Sequence, residues 1–254
     1  METITSRTNP LCTHLRKLSS SASYRRECGE FVCDSPKLLE EALLWQGAVH
    51  TVISTDSIPL PTLPAGVRHV RVPADVMRAV SPAQTPQGAL AVCGIPERTL
   101  PEILDGRRYV VLDGVQDPGN VGTVLRTLDA AGFDGCILTP GCADPFGPKA
   151  LRATMGSVFR VPVCSVWNTV ETVQALNARG YATLAAALDG ENFYRRAPLP
   201  ARLCVLIGNE GAGLTKQAQD ACTHRFRLPM RGGAESLNAA VAAAAMMYDL
   251  INRE

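Results

Sequence analysis

The sequence predicts an α/β protein in which a small unit precedes a larger one with a mostly parallel sheet, and three observations predict it. Short apolar runs that suit buried strands alternate with amphipathic helical patterns from residue 30 onward. The 254 residues exceed one ordinary small domain and suit a small domain followed by a larger one. Between the two, GIPERTLPEILDGRR (94–108) combines two prolines, two glycines and charges of both signs, the composition of a linker. These features place a small α/β unit at 1–95, a linker at 96–107 and the larger unit at 108–254.

In the small unit EFVC (30–33) reads as a strand. The stretch SPKLLEEALLWQG (35–47) reads as a helix: Ser35 can cap it, Pro36 suits its first turn, Leu38, Leu39, Ala42 and Leu43 share a face, and Gly47 stops it. AVHTVIS (48–54) is a second strand. VRHVRV, ADVMRAV and GALAVC then repeat strand, helix, strand up to residue 93. Ahead of these, residues 1–26 carry Arg7, Arg16, Lys17, Arg25 and Arg26 against the single acid Glu2. Two readings of that segment stand side by side: a solvated, partly frayed terminus, and a patch that meets RNA phosphates.

The larger unit opens with YVVLD (109–113), an apolar run short enough for a buried parallel strand. Further strands are expected at GCILT (135–139), RVPVCSV (160–166), YATLAAA (181–187), RLCVLIG (202–208) and FRLP (226–229). In such sheets ligands bind beyond the carboxyl ends of strands, which directs attention to the loops after 113, 139, 186, 207 and 228.

Composition narrows the function. With 46% hydrophobic and 19% charged residues the chain can bury a core. The opening METITSRTNPLCTHLRKL has no apolar run of signal-peptide length, and no segment keeps about 18 apolar residues without a charge, so no membrane partner is expected. The nine cysteines form no CxxC pair and no zinc-type spacing with the four histidines; they read as reduced thiols of a cytoplasmic protein with no metal site. A net charge of +1 excludes nucleic-acid binding by bulk charge and leaves it to local patches.

Three loops stand out. In LDGVQDPGNVGTVLRT (112–127), Asn120 sits where a helix cap belongs, Val121, Val124, Leu125 and Leu128 form a buried stripe, and Arg126 points off it. A bland role for Arg126 is a pair with Asp129, worth only a few tenths of a kcal/mol. In IGNEGAGL (207–214), three glycines around Glu210 bring backbone amides to a strand end, in an order that matches neither a dinucleotide fold nor a phosphate loop. In LPMRGGAESLNAAVAAAAMMYDL (228–250), a flexible RGGA precedes a helix expected to open at Ser236 or Glu235, with Leu237, Val241, Ala244, Ala245, Tyr248 and Ile251 along one face. Asn238 would then lie just inside the first turn, where its amide competes with backbone bonding.

Together, in order and spacing, DPGNVGTVLRT, IGNEGAGL and LPMRGGAESLNAAVAAA resemble the three motifs of the SpoU branch (TrmH type) of the SPOUT RNA methyltransferases, over residues 107–254. DPFGPKALRATMGSVFRVPV (144–163) is similar to a segment of that family's bacterial rRNA enzymes. TSRTNPLCTHLRKL and TPQGALAVC are similar, more loosely, to the small substrate-binding domain that often precedes the catalytic one. The resemblance implies a SPOUT domain with a deep C-terminal trefoil knot, a homodimer packed through the knot and last helix, S-adenosylmethionine as cofactor, and methyl transfer to a ribose 2′-hydroxyl, with rRNA favoured over tRNA. It implies that Gly208, Leu228 and Leu237, with Ala185 and Gly213, hold the cofactor. Asn120, Arg126, Glu210, Ser236 and Asn238 would line the reaction site. Arg7, Arg16, Lys17, Arg25, Arg26, Lys149 and Arg152 are the basic residues expected to meet RNA. The alternatives are a tRNA 2′-O-methyltransferase and a non-catalytic RNA-binding or assembly factor on the same fold.

Overall fold

A computed structural model describes residues 2–253, which form two compact units: residues 2–96 with 144–160, and residues 97–143 with 161–253. In the first, β1 (Glu2–Thr3) leads to α1 (Pro10–Ser20), α2 (Ala22–Cys28), β2 (Glu30–Cys33), α3 (Pro36–Leu44), β3 (Val49–Ser54), β4 (Arg68–Arg71), α4 (Ala74–Val80) and β5 (Ala89–Gly94). The strands make one mixed sheet in the order β1-β4-β3-β5-β2, antiparallel only where β5 pairs with its two neighbours.

The N-terminal segment is folded. Asn9 caps α1 by accepting from the Leu11 amide at 2.9 Å, Pro10 occupies the first turn, and Cys12, Leu15 and Leu18 bury one face against Val32, Ile53 and Leu90. Thr13, His14, Arg16 and Lys17 between those three apolar positions hide the helical period. Arg25, expected at an RNA phosphate, is only 5% exposed: its Nε donates to Asp144 Oδ2 at 2.7 Å and its Nη1 to the Leu18 carbonyl at 2.5 Å. It is a buried structural ion pair, since a desolvated guanidinium needs its acceptors inside the fold.

Residues 144–160, read from the sequence as part of the second unit, belong to the first. Phe146, Leu151 and Val158 sit in one core with Phe31, Leu38 and Leu39, and the Phe31 and Phe146 rings lie 4.9 Å apart. Ion pairs join Asp34 to Arg152 at 2.5 Å and Glu41 to Arg160. A strand, helix, strand pattern cannot reveal on which core a short helical excursion packs.

The second unit contains α5 (Leu100–Ile103), β6 (Arg108–Asp113), α6 (Pro118–Ala130) and β7 (Gly135–Leu138). After α7 (Pro148–Thr154), which lies in the excursion, follow β8 (Val163–Ser165), α8 (Thr169–Ala178), β9 (Ala182–Asn192), β10 (Leu203–Gly208), α9 (Lys216–Ala221), β11 (His224–Arg227) and α10 (Ala239–Ile251). Its six strands are all parallel, in the order β11-β9-β10-β6-β7-β8. Residues of α6 and α10 fill the core on one face, and residues of α5 and α8 fill it on the other. The stretch read as a linker is partly ordered: Thr99 and Glu102 form a capping box, and Ile103 and Leu104 are buried.

Strand order positions the site. The chain runs outward from β6 through β7 to β8, crosses to β9, and inserts β10 beside β6, so the connections diverge between β6 and β10. Asp113 and Gly208, the last residues of those strands, face each other in register. Loops leaving them in opposite directions open a crevice at the carboxyl edge, the place where ligands of parallel sheets bind.

Candidate active site

The turn after β6 is built from Gly114 to Asp117, and Asp117 caps α6 by accepting from the Asn120 amide at 3.1 Å. Pro118 at the first helical position fits that arrangement. Asn120 is therefore inside the first turn, three residues past the cap that the sequence places at it, and its side chain has no capping duty. Its Nδ2 donates to Glu210 Oε1 at 2.9 Å, and its Oδ1 accepts from Asn238 Nδ2 at 2.9 Å.

Asn238 is the N-cap of α10, not a residue inside it. Its Oδ1 accepts from the amides of Ala240 at 2.9 Å and Val241 at 3.3 Å, which leaves its NH2 to face Asn120. The helix thus starts at Ala239, after the point expected from Glu235 and Ser236. Its buried face is also different: Ala239, Ala240, Ala243, Met246, Met247 and Leu250 pack inward, while Leu237, Val241 and Tyr248 are 39%, 52% and 44% exposed. A helix apolar on every side gives no period from which to choose the inner face.

Glu210 gathers the turn from the other side. Besides Asn120, it accepts from the amides of Gln116 at 3.0 Å and Asp117 at 3.1 Å. Desolvation by itself would raise the carboxyl, but the hydrogen bonds from Asn120, Gln116 and Asp117 outweigh it and hold the group below the ordinary carboxylate range. Glu210 is an anion at neutral pH and a weak base. The hydrogen-bonded chain Glu210, Asn120, Asn238 joins all three sequence motifs.

The loop after β10 is shaped by close approach. A Cβ on Gly208 would lie 2.3 Å from Gly213 C and 2.3 Å from Leu214 N, and Gly213 has φ +66°, a left-handed conformation that favours glycine. Asn209, which the sequence reading passes over, fixes the loop: Nδ2 donates to the Gly114 carbonyl at 2.8 Å, and Oδ1 accepts from Gly211 N at 2.9 Å and Ala212 N at 3.0 Å. Its signal was an Asx-type turn residue at the strand end, between two glycine-rich positions. Beneath the turn, Asp113 Oδ1 accepts from Thr139 Oγ1 at 2.7 Å and Thr169 Oγ1 at 2.5 Å.

A cleft of ≈ 400 Å³ opens beside this network. Gly208, Glu210, Gly213, Leu228, Ser236 and Leu237 line it, together with Ala186 to Asp189 in the middle of β9. Its size falls within the roughly 300–1,000 Å³ of small-molecule sites. Ala185, expected at the cofactor, does not line it; it pairs with Leu206 and Arg225 in the sheet and is wholly buried, one residue before the wall begins at Ala186. Arg126 lies further along α6, exposed, and among the described residues makes no hydrogen bond or ion pair, with Asp129 or otherwise.

The other basic residues expected to meet RNA lie in the first unit. Arg7 pairs with Asp75 at 2.8 Å, Arg16 donates to the Arg7 carbonyl, Lys17 sits 5.2 Å from the centre of the Tyr24 ring, and Arg26 and Lys149 are exposed. Arg152 is half exposed against a buried Asp34. All nine cysteines are free, and burial pushes the thiols of Cys136, Cys164 and Cys204 up, Cys164 to about 12. Among the described residues no cluster of three or more His, Cys, Asp or Glu could hold a metal, and no helix is long and apolar enough to cross a membrane.

The chain is similar to known proteins over most of its length. Over 251 residues the chain is 36% identical to the 23S rRNA (guanosine(2553)-2′-O)-methyltransferase RlmP of Bacillus subtilis (strain 168), covering 98% of this chain and 99% of that protein. The AdoMet-bound rRNA methyltransferase from Sinorhizobium meliloti superposes with a TM-score of 0.89 at 30% identity, covering 99% of this chain and 98% of that one. The SpoU methyltransferase AviRb from Streptomyces viridochromogenes, in complex with AdoMet, superposes with a TM-score of 0.84 at 27% identity, covering 96% and 98%. The model of the SpoU rRNA Methylase family matches residues 107–248, the span that carries the Glu210, Asn120, Asn238 chain, and the protein belongs to that family.

Proposed function

We propose that the protein methylates a ribose 2′-hydroxyl of rRNA with S-adenosylmethionine as donor. The observation that carries this reading is the Glu210, Asn120, Asn238 chain of hydrogen bonds, which ties three loops together at the mouth of the cleft. The cleft suits the cofactor: glycine backbone at Gly208 and Gly213 offers close approach, and Leu228 and Leu237 offer apolar walls. When bound, S-adenosylmethionine supplies a methyl group already activated by its sulfonium.

The protein then has to align a weak nucleophile and ease the departure of its proton. A guanidinium stays protonated in proteins, so Arg126 is no base. Free of intramolecular partners, it anchors an RNA phosphate and stabilises the negative charge that develops on the 2′-oxygen. Ser236 or that phosphate relays the proton. Asn120 and Asn238 fix the loop geometry, and Glu210, whose hydrogen bonds keep it ionised, holds the turn before α6 in place.

The first unit binds substrate RNA through Arg16, Lys17, Arg26 and Lys149, all exposed. The protein is a cytoplasmic homodimer whose last helix packs on its copy; the exposed Val241 and Tyr248 of α10 support this, since large apolar residues exposed on one helix favour a covered face. The segment leading to α10 is knotted, a reading that rests on membership of the SpoU family.

The test is methyl transfer from labelled S-adenosylmethionine into unmodified 23S rRNA, followed by nuclease digestion to identify the labelled nucleoside. Label in a 2′-O-methyl nucleoside that vanishes with Arg126→Ala is the expected result. Label in a methylated base, or label undiminished by Arg126→Ala, overturns the assignment.

A further inference from the structure

The two tryptophans of this chain are Trp45 and Trp167, and Trp167 is 94% exposed, more than any other large hydrophobic residue. It follows β8 directly, on the same carboxyl edge that carries the catalytic loops. Ser165 at the end of β8 pairs with Leu138, and Leu138 pairs with Leu112 in β6, so Trp167 stands about level with Gly114. Two strand spacings separate it from β6, roughly 10 Å.

Its backbone is pinned on both sides. The Val166 amide donates to the Leu138 carbonyl at 2.9 Å, and the side chain of Asn168 caps α8 by accepting from Glu171 N at 3.2 Å. Thr169, two residues on, bonds Asp113 beneath the Asn120 turn at 2.5 Å. A bare indole on so fixed a segment forfeits a large apolar burial that a flexible loop would recover by folding over.

We propose that Trp167 is a stacking platform for an unpaired base of the substrate RNA, flanking the nucleotide that is methylated; this rests on the reading of the protein as an RNA methyltransferase. Single-stranded bases are recognised by stacking on aromatic faces, which tolerates any sequence. The nearest charge in the sequence is Glu171, held by Asn168, so this position takes the uncharged face of a base and not a phosphate. A second copy of the chain is the poorer occupant. The exposed apolar stripe of α10 lies on the helix layer shared with α6, whereas Trp167 leads into α8 on the opposite layer.

The test uses full-length protein carrying Trp45→Phe, so that Trp167 alone fluoresces, titrated with a single-stranded oligouridylate and with unmodified 23S rRNA. Stacking quenches the emission saturably. In methyl transfer, Trp167→Ala raises KM for RNA about 5- to 150-fold, leaving S-adenosylmethionine affinity and Tm unchanged, and Trp167→Phe recovers most of the loss. Unchanged KM in Trp167→Ala, or RNA binding without quenching, overturns the proposal. A lowered Tm or weakened cofactor affinity in Trp167→Ala also overturns it, by making the residue structural. Emission that changes with protein concentration alone assigns the ring to a protein interface instead. If the wild type methylates no RNA, the activity reading fails, and the quenching titration still decides whether Trp167 meets a base.

Discussion

Replacing Gly208 with alanine separates two reasons for a glycine-rich loop, close approach and flexibility. The added methyl would sit 2.3 Å from backbone atoms of Gly213 and Leu214, whereas ordinary contact begins at 3.4 Å. Backbone at 209–214 has to move by roughly 1 Å, a displacement that near a reacting centre costs about 100-fold in rate. Overpacking of this kind costs about 1–3 kcal/mol, and in a chain of this size each kcal/mol lowers Tm by roughly 2–4 °C. Gly211 in the same loop is the control, because a Cβ there meets nothing nearer than Asn209 Oδ1 at 3.6 Å. Calorimetric titration with S-adenosylmethionine should show Gly208→Ala weakened about tenfold or more, since a misplaced loop leaves cofactor contacts unmade, and Gly211→Ala close to wild type. Equal damage from both would mean that the loop needs flexibility and that the clash argument is wrong.

Further outcomes follow from the same geometry. Arg126→Lys should retain part of the turnover and Arg126→Ala almost none, with cofactor affinity equal in both by titration, because the cation and not the fork anchors charge. Asn238→Asp keeps the α10 cap and so keeps Tm near wild type, but sets a carboxylate against Asn120 Oδ1; kcat should fall sharply, and a normal kcat would dismiss the amide chain. Arg25→Ala leaves Asp144 buried without its partner and should cost about 3–5 kcal/mol by denaturant unfolding, where a mere RNA contact would leave stability untouched. Since Glu210 is held below its ordinary value, its stabilisation is complete above about pH 4.5 and is lost as pH falls through the folded value. Acid unfolding of Glu210→Gln should therefore lack the steepening that the wild type shows below that pH.

The sequence by itself determined the elements that local chemistry dictates. Ser35 before Pro36 and an apolar stripe specify α3, and the apolar runs at 109–113 and 202–208 are short enough to suit strands buried on both faces, which they form. Asn120, Glu210 and Asn238, which hydrogen bonds bring together, were legible because their spacing in three loops matches a family pattern, not because any one of them announces chemistry. Tertiary structure decided the rest. That Asn238 caps α10 through its Oδ1 while its NH2 reaches Asn120, 118 positions away, is a pairing only the fold supplies. Which face of the alanine-rich α10 turns inward was set by the core it meets, and the placement of 144–160 by a buried Arg25 that composition presents as a surface charge. A local pattern fixes what a segment can become; the partner that satisfies its polar atoms or covers its apolar face comes from elsewhere in the chain, and no window of sequence contains both.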